Sequence, residues 1–348
     1  MYTSNKKKEF NLINFASDNY AGACPSVIEA VIEANEGFAS AYGDDTYTQK
    51  AADALRKFFD WDCEIFFVFN GTAANSLALA ALCQSYHSVI CHELSHIETD
   101  ECGAPQFFSN GMKLLLSHES GGKITPQSLT HLVTKRSDLH YPKPKVLSLT
   151  LPTETGLVYS MDELLELGEC AKNLGLKVHI DGARFFNALV SLHVKPSELI
   201  KTSKADVISL GGAKNGMMLG EAVIFFDKEL AKDFEFRCKQ AGQLGSKMRF
   251  ISAQWLGLLK DNRWEANALQ ANTMAKYFSN EALKIPNIKL LFPTQANSVF
   301  LKMDQSQHER LQKSGWKYYT FIGSGARFVF SWNSKKEDVD ALIACLKG

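Results

Sequence analysis

The chain has 348 residues, a length that suits two domains or one large domain with an appendage. Hydrophobic residues make up 45% and charged residues 22%, which excludes a disordered chain. Lys plus Arg and Asp plus Glu both number 38, so no basic excess favours nucleic acid. The longest apolar run, about 77–83, is far too short to span a bilayer. No apolar signal core follows the lysines at 6–8. The eight cysteines form no C-x-x-C pair and are scattered through apolar contexts. They read as reduced, buried thiols of a cytosolic, hence cytoplasmic, protein.

In chain order, 65–69 is a short run of aromatic and β-branched residues and predicts a buried strand. The Ala- and Leu-rich stretch 73–86 predicts a helix. Short strands are predicted at 89–91 and 145–150. Helix 161–174 places Leu164, Leu165, Leu167 and Ala171 on one face, and Gly175 stops it. Strands follow at 176–180, 206–210 and 222–226. Helices are predicted over 249–259 and 263–283. Strands at 297–301 and 327–331 and a closing helix over 337–346 give the last ninety or so residues a different texture. Alternating strands and helices imply an α/β fold with a mostly parallel central sheet, in which ligands bind beyond the carboxyl ends of the strands.

Three strand ends carry chemistry. After 65–69 come Asn70, Gly71 and Thr72 at a helix N-terminus, an anion cradle or an ordinary N-cap. After 176–180 come Asp181, Gly182, Ala183 and Arg184. After 206–210, Lys214 sits in a Gly-rich turn, where partial desolvation makes an amine a usable nucleophile. There is no G-x-G-x-x-G and no P-loop motif. A phosphate cradle, a carboxylate for a pyridine nitrogen and a Schiff-base lysine together fit pyridoxal 5′-phosphate.

His92-Glu93-Leu94-Ser95-His96 matches the H-E-x-x-H zinc motif, with Glu119 as a conceivable third ligand. That motif needs both histidines on one helix. Here a predicted strand precedes it and Gly103-Ala104-Pro105 ends the segment. The better use for His96 is packing on a cofactor ring, with no metal at the site.

Six pieces stand in order along the chain: Ser17-Asp18-Asn19, Tyr42-Gly43-Asp44-Asp45, Asn70-Gly71-Thr72-Ala73-Ala74-Asn75, Ser95-His96-Ile97, His179-Ile180-Asp181-Gly182-Ala183-Arg184 and Gly211-Gly212-Ala213-Lys214-Asn215-Gly216. With them the sequence resembles the threonine aldolases. These are pyridoxal-phosphate enzymes of the aspartate-aminotransferase fold (fold type I) in the β-eliminating lyase group. The resemblance implies that Lys214 holds the cofactor covalently, Asp181 pairs with its ring nitrogen and His96 stacks on the ring. It implies that Asn70, Gly71 and Thr72 hold the phosphate. Arg184 and Arg327 would clamp the substrate carboxylate with help from Ser17. Arg249, with Lys239, would serve a neighbouring subunit's phosphate. Many relatives carry a histidine where this chain has 151–156. The group that takes the hydroxyl proton therefore stays open among Glu154, His96 and a water.

The change of texture predicts a smaller C-terminal α+β domain 261–348, after an N-terminal segment 1–15 and a large domain 16–260 that the resemblance makes cofactor-binding. The resemblance implies a homo-oligomer, dimer or tetramer, with shared active sites, acting on a small amino acid; the charge balance and short apolar runs already argue against nucleic acid and membrane as partners. The expected reaction is cleavage of L-threonine, L-allo-threonine and related β-hydroxy-α-amino acids to glycine and an aldehyde. The alternatives are another pyridoxal lyase, an aminotransferase or decarboxylase, a zinc hydrolase, and a non-catalytic relative that retains the fold.

Overall fold

Residues 14–320, 322 and 325–348 are described in a computed structural model of the chain. Most of the 1–15 segment lies outside the described residues. Apolar runs bounded by turn residues become seven strands of one sheet: β1 (Glu64–Val68), β2 (His87–His92), β3 (Lys113–Ser117), β4 (Lys143–Thr150), β5 (Lys177–Gly182), β6 (Val207–Gly211) and β7 (Glu221–Phe225). Their order is β1-β7-β6-β5-β4-β2-β3. Strands β3, β2, β4, β5 and β6 pair in parallel, whereas β7 is antiparallel to both β6 and β1. The reversal has a simple cause. Only Gly212 to Gly220 separates β6 from β7, too little chain for a parallel crossover, which needs a dozen residues or more.

Strand side chains alternate between two cores, as the two-residue period demands. Val178, Ile180, Ile208, Leu210 and Ile224 face one cluster; Val207, Val223 and Phe225 face the other. Helix α1 (Pro25–Ala34) and α2 (Thr46–Phe59) begin at Pro25 and at the Asp45 cap, whose carboxylate accepts from the Thr48 N–H at 2.8 Å. Helix α3 (Gly71–Leu82) lies against the second face and is buried from Ala73 to Ala80, which explains its Ala- and Leu-rich sequence. It starts and ends earlier than the 73–86 prediction because Asn70 caps it and Cys83 is already extended. Helix α4 (His96–Thr99) is a single turn after β2. Strand β3 was not among the predicted elements: its Leu114, Leu115 and Leu116 are not β-branched and carry little strand signal.

A second, antiparallel sheet has the order β10-β11-β9-β8, from β8 (Lys289–Leu290), β9 (Ser298–Lys302), β10 (Tyr319–Thr320) and β11 (Ala326–Val329). Helices Arg263–Ala282 and Lys336–Lys347 cover it, with Phe278, Val299, Phe328 and Leu342 in its core. Phe15 belongs to the same core: its N–H donates to the Lys317 carbonyl at 3.2 Å and its carbonyl accepts from the Val329 N–H at 2.8 Å. That anchor carries Ser17 and Asp18 to the gap between the two sheets.

All eight cysteines are unpaired. The expectation that all are buried holds for five; Cys102 is exposed and Cys170 and Cys345 are half-buried. Cys102 sits in a left-handed turn at φ 51°, outside any packed element. Among the described residues, no helix is long and apolar enough to cross a membrane.

Candidate active site

The carboxyl ends of β4, β5 and β6 and the N-terminus of α3 enclose a cavity of about 340 Å³. Asn70 caps α3 with its side-chain oxygen on the Ala73 N–H at 2.9 Å. The N–H groups of Gly71 and Thr72 precede any intrahelical acceptor, so the positive end of α3 opens to the cavity. Asp181 stands at the end of β5, only 4% exposed. Its Oδ1 accepts from the Ala183 N–H at 3.0 Å and its Oδ2 from Asn75 Nδ2 at 2.8 Å. Lys214 lines the same cavity from the turn after β6. Desolvation and then the nearby Arg184 charge push its amine below the ordinary lysine value, toward the nucleophilic free base. Gly211 is what lets the two loops meet: a Cβ there would lie 2.5 Å from the Ala183 carbonyl oxygen.

The beta-eliminating lyase family model matches residues 14–306. The chain belongs to this family. It is 54% identical to the low specificity L-threonine aldolase of Pseudomonas sp. (strain NCIMB 10558), with 96% of each chain covered. It is equally 54% identical to the low specificity L-threonine aldolase of Pseudomonas aeruginosa, over 94% of this chain and 95% of that one. Among solved structures, a threonine aldolase from Leishmania major superposes with a TM-score of 0.90 at 25% identity, covering 96% and 98% of the two chains.

In this beta-eliminating lyase the remaining cavity groups are mostly acidic. His96 opens α4; its Nδ1 lies 2.8 Å from Glu101 Oε1, and that bond raises the imidazole's pKa. The His96 backbone N–H donates to Glu154 Oε1 at 2.9 Å. Burial, then the Asp181 charge, pushes the Glu154 carboxyl up to about 7. Glu221, at the start of β7, accepts from the Gly212 N–H at 2.5 Å, and burial raises it to about 7 as well. The acid thus braces the turn that presents Lys214.

Arg184 is half-buried and forks onto Asp18, with Nε to Oδ2 at 2.7 Å and Nη2 to Oδ1 at 2.9 Å. Asn297 Nδ2 also donates to Asp18 Oδ2 at 3.0 Å, tying the second sheet to the pair. Burial alone would raise the Asp18 pKa, but the Arg184 charge and hydrogen bonds outweigh it and the carboxyl stays below its usual range. Arg327, on β11, donates to the Ala16 carbonyl at 3.2 Å and lies over the Tyr319 ring at 5.5 Å. Burial and then the Arg184 charge push it down to about 10. The two guanidinium groups repel each other, so an anion between them would be favoured; Arg184 lines the cavity, whereas Arg327 and Ser17 do not. Ser17 accepts from the Asn19 N–H at 3.2 Å, and Asn19 lines the cavity.

Arg249 and Lys239 do not line the cavity. The Arg249 guanidinium lies 5.1 Å from the Phe250 ring with its Nε buried and unpartnered, and Lys239 lies 4.3 Å from the Tyr42 ring. The H-E-x-x-H residues diverge: His92 ends β2 and bonds the Glu119 carbonyl at 2.7 Å, Glu93 bonds His118 at 2.7 Å, and His96 faces the cavity. Glu119 turns its carboxylate to Ser117. Among the described residues, no group of His, Cys, Asp and Glu is placed to hold a metal ion.

The cavity fits a flat cationic heterocycle with an anionic tail. Asp181 is a buried carboxyl whose hydrogen-bond partners are both neutral, which suits a protonated ring nitrogen, and the α3 terminus suits the tail. The sequence alone assigns no role to Asp18, Asn75, Glu101 or Glu221. Asp18 and Asn75 lay inside quoted motifs. The signal for Glu221 was available too: an acid at the head of a fully buried strand, just after the lysine turn.

Proposed function

We propose that this beta-eliminating lyase uses pyridoxal 5′-phosphate to cleave L-threonine, L-allo-threonine and related β-hydroxy-α-amino acids to glycine and an aldehyde. The observation that carries the reading is the desolvated Lys214 amine sharing one cavity with Asp181 and the α3 terminus. Its 54% identity to low specificity L-threonine aldolases supplies the substrate class.

Lys214, Asp181, His96, Asn70, Gly71 and Thr72 are the residues that would hold the coenzyme. Once bound, it supplies an electron sink for the bond being broken. The chain does the rest. The α3 N–H groups and Thr72 bind the phosphate, and Asp181 holds a proton on the ring nitrogen. Arg184 and Arg327, with Ser17 beside them, bind the substrate carboxylate. Asp18 and Asn297 keep Arg184 from swinging, so the substrate is oriented and not merely bound. The β-hydroxyl proton passes to a group at the cavity wall, where Glu154 and His96 both stand, directly or through a water.

A homo-oligomer with shared sites is part of the proposal. Ile32, Phe38 and Tyr42 are exposed, as are Met218 and Leu219 at the cavity itself, an apolar surface suited to a second copy. Arg249 and Lys239 would then serve the neighbour's phosphate. A division into a large coenzyme-binding domain, 16–260, and a small domain, 261–348, belongs to the same reading. So does a cytoplasmic site of action, which the unpaired cysteines support.

The test is to incubate the purified protein and coenzyme with L-threonine and to assay products. Acetaldehyde and glycine in equal amounts are expected. A keto acid would move the chain to the aminotransferases, and no turnover of any β-hydroxy-α-amino acid would refute the reading.

A further inference from the structure

Glu101 has no assigned task, yet it is one of the most enclosed acids in the molecule, with a side chain 0% exposed. It follows α4 and turns back under His96. Glu101 Oε1 meets two nitrogens, His96 Nδ1 and Asn75 Nδ2, each at 2.8 Å. Asn75, on the second turn of α3, spends its other amide hydrogen on Asp181 Oδ2, also at 2.8 Å. One amide therefore holds the carboxyl beneath His96 and the carboxyl at the end of β5. The arrangement is poor packing: Glu101 Oε2 and Asn75 Oδ1 are both buried without a hydrogen-bond partner. Apolar side chains of similar volume would fill the space without leaving polar atoms unsatisfied. Such a network calls for an explanation other than stability.

We propose that Glu101 is a positioning residue that holds His96 in the tautomer with the proton on Nδ1 and the lone pair on Nε2, and that Asn75 fixes this pair relative to Asp181. The inference rests on the functional reading above. An amide nitrogen only donates, so Glu101 Oε1 must accept from Asn75. If Nδ1–H donates to the same oxygen, the carboxylate is a double acceptor and Nε2 is left as the basic nitrogen of the ring. Nε2 makes no hydrogen bond to a described residue, and the His96 side chain lines the cavity. A carboxylate that orients an imidazole and stabilises its cation does the same work in hydrolase triads. Three ionisable groups on different elements act on this imidazole, Glu101, Asp181 on β5 and Lys214 after β6, and Glu154, after β4, meets the His96 backbone N–H. Glu101 dominates by its hydrogen bond, and the net effect raises the His96 pKa.

The test is nitrogen NMR of the holoenzyme labelled with ¹⁵N-histidine, with the His96 signals identified by their loss in His96→Asn. In the wild type, above the His96 pKa, Nδ1 is expected protonated and Nε2 unprotonated. The opposite tautomer overturns the proposal, and this readout needs no Glu101 variant to fold. Glu101→Gln keeps the shape and both acceptor bonds but removes the charge. It is expected to move the His96 titration to lower pH, to carry the acid limb of kcat/KM for L-threonine with it, and to lower kcat/KM by about 10²-fold. A loss of activity with the His96 titration unmoved would mark a merely structural role and overturn the proposal. Wild-type protein that binds no coenzyme or releases no aldehyde would instead sink the functional reading, while the tautomer would still be read on the chain itself.

Discussion

Asp18→Ala tests whether the carboxylate clamp is held from behind. The wild-type Asp18 carboxylate is fully enclosed and takes both arms of Arg184, at 2.7 and 2.9 Å, plus Asn297. The truncation leaves the Arg184 guanidinium without its counter-charge. Removing one member of a buried pair typically costs 3–5 kcal/mol. The Arg184 side chain keeps 21% exposure and gains some hydration, so the low end, about 3 kcal/mol, is expected. Urea unfolding of the holoenzyme at fixed protein concentration measures it. The control is Asp18→Ala combined with Arg184→Met, which removes the stranded charge and should recover most of the loss. The Asp18 pKa is lower folded than unfolded, so the pair's contribution is present above the ordinary value of 3.8 and is lost as pH falls through the folded value. The deficit of Asp18→Ala should therefore shrink in acid. A cost below about 1 kcal/mol, or a double variant no more stable than the single one, would refute the reasoning.

Other outcomes follow from the same site. Asp181→Ala should leave Lys214 in place but lower kcat for L-threonine by about 10²-fold or more, read in the aldehyde assay; near-normal turnover with coenzyme bound contradicts its role. Gly211→Ala places a methyl group 2.5 Å from the Ala183 carbonyl and 2.7 Å from its Cα, both backbone atoms that cannot step aside. It should cost about 1–3 kcal/mol in urea unfolding and weaken coenzyme binding, since the Lys214 turn must shift. Glu154 holds its proton up to about 7 in the folded chain and only to the ordinary 4.5 when unfolded, so folding takes up a proton between those values. Stability should fall as pH rises through that window, and Glu154→Gln should remove the Glu154 share of the fall while leaving that of Glu221, whose carboxyl is raised to about 7 too; parallel pH–stability curves for the two proteins contradict this.

Much of the site was legible because a parallel sheet concentrates function at its strand ends. Asp181 and Lys214 each follow a run of apolar residues that stops abruptly, and Asn70-Gly71-Thr72 opens a helix directly after a strand. The Asp18–Arg184 pair was not legible, since 166 residues separate its members and nothing in either quoted motif points to the other. Glu101 sits in a polar stretch that reads as surface until α4 folds it under His96. The reversal of β7 could have been read from the short link before it. The H-E-x-x-H match shows the converse: five residues fit a motif, but β2 ends at the first histidine and the second begins a new helix.

The proposed chemistry requires a covalent bond between the coenzyme and one lysine. Borohydride reduction of the holoenzyme, followed by absorbance and peptide mapping, tests it most directly. A yellow protein whose reduced coenzyme is fixed on the Lys214 Nζ is expected. A colourless protein that takes up no coenzyme, or a label on any other lysine, would contradict it.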